Sequence, residues 1–125
     1  MLLNLFTVAL GAFLGGGLRY LLSIIFAMQF PLSTLLSNVL SGFLGGLIIG
    51  IDKDTMIFSP STKLFLTTGF LGGLSTLSGF SLETLKMFEN NKYFTGSMNI
   101  FLNLGCTVLF LILGLITARL FTKVI

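Results

Sequence analysis

Thr68-Gly-Phe-Leu-Gly-Gly-Leu-Ser-Thr-Leu-Ser-Gly-Phe-Ser-Leu-Glu83 lies inside a hydrophobic segment long enough to cross a bilayer, yet its centre is poor helix material. Gly72, Gly73 and Gly79 each weaken a helix, and the hydroxyls of Ser75, Thr76 and Ser78 compete for backbone hydrogen bonds. In lipid, non-helical backbone persists only where protein buries it or where it lines a polar cavity. A membrane helix broken in this way points to an ion or substrate site. The remaining hydrophobic segments read as the surroundings of this one.

The composition sets the class. Of 125 residues, 54% are hydrophobic and only 9% charged, and the mean hydropathy is +1.05. A soluble domain of this size has no use for so much apolar surface, so the chain is an integral membrane protein. Its net charge of +3, from 7 basic and 4 acidic residues, is too thinly spread for a nucleic-acid surface. With no histidine and a single cysteine, Cys106, an imidazole or thiolate metal cage and an internal disulfide are excluded. Nothing resembles the site of a soluble enzyme, and Cys106 reads as a small packing residue. The N-terminus lacks the basic region of a cleaved signal peptide and reads as the start of a retained membrane helix.

Outward from the broken stretch, segment one, Met1–Phe30, has one charge, Arg19. Gly11 and Gly15 have the small-xxx-small spacing that lets two helices approach, and these glycine faces are natural dimer contacts. Arg19 has two readings: a side chain that snorkels to the headgroups, or a cation in a water-filled vestibule. After Pro31, Leu32–Ile51 carries no charge, and Thr34, Asn38 and Ser41 share one helical face. The Asn38 amide, inside the span, either bonds a neighbouring helix or aims a donor into an ion path. Ser59-Pro60 supplies an N-cap and a first-turn proline for segment three, about Lys63 to Phe88. Segment four, about Thr95–Arg119, repeats the polar stripe with Asn99, Asn103 and Thr107 at i, i+4 and i+8. Phe-Leu-Gly-Gly recurs at 13–16, 43–46 and 70–73, which reads as reuse of a small packing face rather than a tandem repeat.

These segments predict an all-α membrane protein forming one domain over 1–125: four transmembrane helices, the third broken, with both termini on one side. Lys53, Lys63, Arg119 and Lys123 on that side face Lys86 and Lys92 on the other, or three residues if Arg19 is counted there, a feeble bias that leaves orientation weakly encoded. Four helices fill their own core, so a conduit needs at least two chains. Freed carbonyls of the broken stretch meeting on a two-fold axis have the chemistry to hold a monovalent cation.

Gly-Gly-Gly-Leu-Arg-Tyr (15–20), Ser-Thr-Leu-Leu-Ser-Asn-Val-Leu-Ser-Gly-Phe (33–43) and Gly-Phe-Leu-Gly-Gly-Leu-Ser-Thr-Leu-Ser-Gly-Phe-Ser-Leu-Glu (69–83) together resemble the Fluc/CrcB fluoride channels. The resemblance runs over essentially the whole chain. It implies a fluoride-specific channel for passive efflux across the cell membrane, built as an antiparallel dual-topology dimer with two pores. It also implies a structural sodium ion at the dimer centre, held by backbone carbonyls that match Gly72 and Ser75. By position, Arg19 matches the family's vestibule arginine, Asn38 its pore asparagine and Phe80 one of its two pore phenylalanines. Asn103 and Thr107 match the polar track of segment four, and Thr34 with Glu83 a polar pair near the pore. These residue types suit fluoride: amides and hydroxyls replace its water, and phenylalanine edges offer a weak, non-sticky contact.

The sequence departs from the family at Leu77, where the first pore phenylalanine is expected, at Gly79, which replaces a threonine, and at Asn99, where an aromatic is common. Leucine has no ring quadrupole, so one contact to fluoride is absent. Three arrangements follow: a homodimer conducting through a rearranged track, one half of a heterodimer whose partner supplies the phenylalanine, or a non-conducting partner subunit. A small multidrug-type antiporter needs an acidic residue in the first span, and Met1–Phe30 has none.

Overall fold

Apolar runs bounded by Pro31 and Pro60 become helices in the computed structural model, which describes residues 1–28 and 30–124. Helix α1 (Leu2–Ile25) is followed by α2 (Leu32–Thr55). The third segment begins with α3 (Pro60–Lys63), runs through a π-helical stretch, Leu64–Leu71, and ends its first arm in α4 (Gly72–Leu74). Its second arm is α5 (Leu77–Glu89), and α6 (Tyr93–Val124) closes the chain. Among the described residues there is no strand.

Three helices, α1, α2 and α6, are long and apolar enough to cross a membrane, and the chain is a multi-pass membrane protein. The expected fourth hydrophobic segment is divided between two arms, neither of which reaches that length alone. Its N-cap is the expected one: Ser59 Oγ accepts from Thr62 N at 3.2 Å, with Pro60 at the first helical position. At 32 residues α6 outruns the expected Thr95–Arg119 and reaches about 48 Å at the usual rise per residue.

The interior is polar. Thr34, Ser37, Asn38, Ser41, Thr84, Asn99 and Asn103 are buried, whereas most large apolar side chains of α1 and α6 face outward. That is the inverse of a soluble fold and suits a lipid surround. Backbone contacts between helices supply the tightest packing. A Cβ at Gly46 would collide with Leu111 O, and one at Gly114 with Phe43 O, so α2 and α6 meet backbone to backbone. Gly15 meets Phe70 O, and a Cβ at Gly73 would lie 2.5 Å from Ala12 O, locking α1 to the first arm of the broken segment. This corrects the expectation that Gly11 and Gly15 serve a dimer contact. Both are buried within the protomer because a helix packs onto them.

The break is narrower than the glycines imply. Gly72, Gly73 and Gly79 all lie within helices, and only Ser75 (φ −78°, ψ 154°) and Thr76 (φ −149°, ψ 114°) are extended. Hydroxyls and one amide hold them. Leu71 O accepts from Ser75 N and Ser75 Oγ, each at 2.9 Å, and from Ser41 Oγ at 3.2 Å, which ends the first arm. Thr76 Oγ1 accepts from Gly79 N at 2.9 Å and caps α5.

Candidate functional site

Asn38 on α2 splints the break. Its Oδ1 accepts from Thr76 N at 2.7 Å, and its Nδ2 donates to Thr76 O at 3.2 Å. One side chain therefore satisfies the backbone donor and acceptor of a residue that no helix ladder serves. Asn38 Nδ2 also donates to Asn103 Oδ1 at 2.8 Å. Asn103 Nδ2 in turn donates to Asn99 O at 2.9 Å and Asn99 Oδ1 at 3.0 Å. Asn99 Nδ2 donates to Thr84 Oγ1 at 3.0 Å and, more weakly, to Phe80 O at 3.4 Å. The amide orientations follow from backbone groups at the ends of this chain. A peptide N–H only donates and a carbonyl only accepts, so Thr76, Asn99 O and Phe80 O assign the three amides.

Three hollows near this network share wall residues with one another. The first, about 220 Å³, is lined by Asn38, Ser75, Thr76, Leu77, Phe80, Asn103 and Thr107, among others. The second, about 250 Å³, has Arg19, Thr34, Thr76 and Gly79 in its wall and shares Thr76 with the first. The third, about 400 Å³, includes Glu83, Lys86 and Lys92 and shares Ser23 with the second. Thr34 Oγ1 donates to Glu83 Oε1 at 2.6 Å, joining the walls of the last two.

The fold thus gathers Asn38, Leu77, Phe80, Asn103 and Thr107 around one hollow, and places Arg19 and Thr34 in the wall of the second and Glu83 in that of the third. The Asn38 amide serves the helix–helix reading directly, since both of its N–H groups already have acceptors. Thr107 differs: its Oγ1 is buried and has no hydrogen-bond partner among the described residues, as is the case for Glu83 Oε2. Phe80 is 7% exposed, but Leu77 is 69% exposed and stands out from the protomer. Arg19 makes no ion pair among the described residues.

Gly72 and Ser75 each carry a backbone carbonyl, the oxygen donor type that a hard cation takes. Outside the helix ladders, no hydrogen bond among the described residues reaches either carbonyl, and Gly72 lies on an open face. Thr76 N, which a continuous helix would direct at Gly72 O, is turned to Asn38 instead. Carbonyl oxygens that a helix break leaves without donors are the donor type that coordinates alkali cations in membrane proteins.

Residues outside the expected site also take part. Thr76 and Thr84 sit at the two ends of the amide chain, and Ser41 anchors the Leu71 carbonyl. Ser41 and Asn99 were visible as members of polar stripes. Thr84 had no such signal, being one of three hydroxyl residues in α5.

The chain matches the model of the family described as CrcB-like protein, Camphor Resistance (CrcB), over residues 6–115. It is 46% identical over 116 residues to the fluoride-specific ion channel FluC of Clostridium perfringens (strain ATCC 13124), covering 90% of this chain and 91% of that one. It is 42% identical over 115 residues to the protein of the same name from Neisseria meningitidis serogroup C (strain ATCC 700532), covering 92% and 94%. A third, from Clostridium novyi (strain NT), is 39% identical over 111 residues, covering 86% and 87%.

Proposed function

The chain belongs to the CrcB-like family, and from that premise we propose that it is a fluoride-specific ion channel, not an enzyme, letting fluoride leave the cell passively. The similar proteins carry that name over nearly their full length. The observation that carries the reading is the hollow at the break, where buried amides and the unpartnered Thr107 hydroxyl gather beside Phe80. No lysine or arginine lines it, so an anion meets donors there without a cation to trap it.

In this reading the two arms of the broken segment form the fourth crossing, and two antiparallel copies complete two pores. Arg19 collects anions in the second hollow. Thr107 offers a free hydroxyl, Phe80 its ring edge, and the Asn38 and Asn103 amides exchange an internal bond for one to the passing ion. That exchange keeps binding weak enough for release. An inside-negative potential drives each anion outward by about 2.3 kcal/mol per 100 mV. The carbonyls of Gly72 and Ser75 would hold a sodium ion at the dimer centre. Its charge would neutralise oxygens that the break leaves without donors.

Leu77 favours a second reading, a heterodimer. Its exposed side chain stands where the family has a pore phenylalanine, so a homologous partner would supply the missing ring. Fluoride efflux from liposomes holding only this purified chain decides between them. Selective efflux establishes the homodimeric channel. Efflux only with a co-expressed homologue establishes the heterodimer, and none in either case refutes the channel and leaves a non-conducting subunit.

A further inference from the structure

Asn99 is fully buried, lines none of the three hollows, and has no part in the proposed conduction step. A buried amide is costly unless each of its groups is bonded. Here each is. Nδ2 reaches Thr84 Oγ1 and Phe80 O on α5, and Oδ1 accepts from Asn103 Nδ2 on its own helix, α6. Thr84 Oγ1 also donates to Phe80 O at 2.7 Å, so the Asn99–Thr84 pair converges on the backbone of the residue whose ring walls the first hollow.

We infer that Asn99 is a positioning residue for anion passage: it holds Asn103 with its oxygen toward Asn38, and it sets α5, with Phe80, in register against α6. The first effect is an orientation argument. With Asn99 Oδ1 present, Asn103 Nδ2 has two acceptors on one side and is held there. Without it, only the Asn99 carbonyl remains, and the Asn103 amide is free to turn. Turning brings Asn103 Nδ2 toward Asn38 in place of Oδ1, so two donors face each other and the Asn38 donor loses its acceptor. The Asn38 amide, which walls the first hollow, then keeps only its bonds to Thr76 and is no longer held from α6. The second effect concerns α5. This half-helix follows the break and packs chiefly on α6, and the Asn99–Thr84 bond is a polar contact between the two.

This inference rests on the fluoride-channel reading, and its test separates the two. Asn99→Leu is expected to slow fluoride efflux about tenfold, the factor that corresponds to one hydrogen bond at the upper end of the usual range. Thr84→Val removes the α5 end of the contact and is expected to slow efflux to a smaller degree, while Thr84→Ser, which keeps the hydroxyl, retains the parental rate. The second readout is the side-chain amide signals of Asn38 and Asn103 in ¹⁵N-labelled protein. Both should shift and exchange faster with water in Asn99→Leu and Thr84→Val but not in Thr84→Ser. Parental efflux in a folded Asn99→Leu overturns the inference. If Asn99→Leu does not fold, equal efflux from Thr84→Val and Thr84→Ser overturns it. If the parent itself passes no fluoride, the channel reading fails, and the amide signals decide the positioning claim alone: no response to Thr84→Val overturns it and a response sustains it.

Discussion

Replacing Asn38 by aspartate changes one atom and reverses its chemistry. The retained Oδ1 still accepts from Thr76 N, but the atom that replaces Nδ2 now presents lone pairs to Thr76 O and Asn103 Oδ1, formerly its acceptors at 3.2 and 2.8 Å. Two hydrogen bonds are lost and two buried oxygens left unpaired, a destabilisation of about 2–4 kcal/mol. Asn103 cannot repair the defect by turning its amide without abandoning both of its bonds to Asn99. The effect on an anion is separate. A carboxylate about 4 Å from a passing fluoride raises its energy by about 4 kcal/mol at an effective dielectric near 20. That corresponds to roughly a thousandfold in rate. The assay is fluoride release from loaded liposomes, followed with a fluoride electrode, for the parent, Asn38→Asp and Asn38→Ser. Serine removes the amide without adding charge, so the gap between the two variants isolates the electrostatic part. An Asn38→Asp protein that is folded and releases fluoride as fast as the parent would refute the placement of Asn38 beside the ion path.

Thr107→Val removes a hydroxyl that has no partner among the described residues, so thermal melting should be unchanged while efflux falls; unaltered efflux would remove Thr107 from the path. Leu77→Phe restores a ring at an exposed position and should preserve or raise homodimer conduction, and its loss with the fold intact would mean that the track is built around leucine. Gly15→Ala drives a Cβ into the Phe70 carbonyl and should cost about 1–3 kcal/mol or more, whereas Gly17→Ala meets nothing within 4 Å and should be neutral or mildly stabilising. Melting in detergent distinguishes the two, and equal melting would contradict the backbone-to-backbone contact of α1 with the first arm.

Legibility in the sequence followed the reach of each interaction. Spacing along a helix is local, so Thr34, Asn38 and Ser41 announce one face, and all three are buried. The Ser59-Pro60 cap and the existence of a break were equally plain. Which residues make the break was not. Glycine weakens a helix in isolation, but Gly72 and Gly73 stay helical because the first arm is packed against α1, with Gly73 lying close to the Ala12 carbonyl. Of the two extended residues, Ser75 is held by its own bonds to Leu71 O, but Thr76 is held by an amide 38 positions away in sequence, a contact no local pattern encodes. The glycines misled for the same reason. Small-xxx-small spacing marks close approach without naming the partner, and here the partner lies within the protomer.

The same long-range contact ties architecture to the proposed function. A break in a membrane helix leaves polar backbone that lipid cannot satisfy, and Asn38 satisfies it by bonding both sides of Thr76. Its remaining donor reaches Asn103, so the group that stabilises the break also opens the polar chain running through Asn99 to Thr84. Because Thr76 N is turned toward Asn38, Gly72 O is left without its helical donor, and the first arm ends with a carbonyl on an open face. The proposed anion path and the proposed cation site are therefore two sides of one hydrogen-bond exchange. A substitution at Asn38 should consequently disturb both, whereas one at Thr107 should disturb only the anion path.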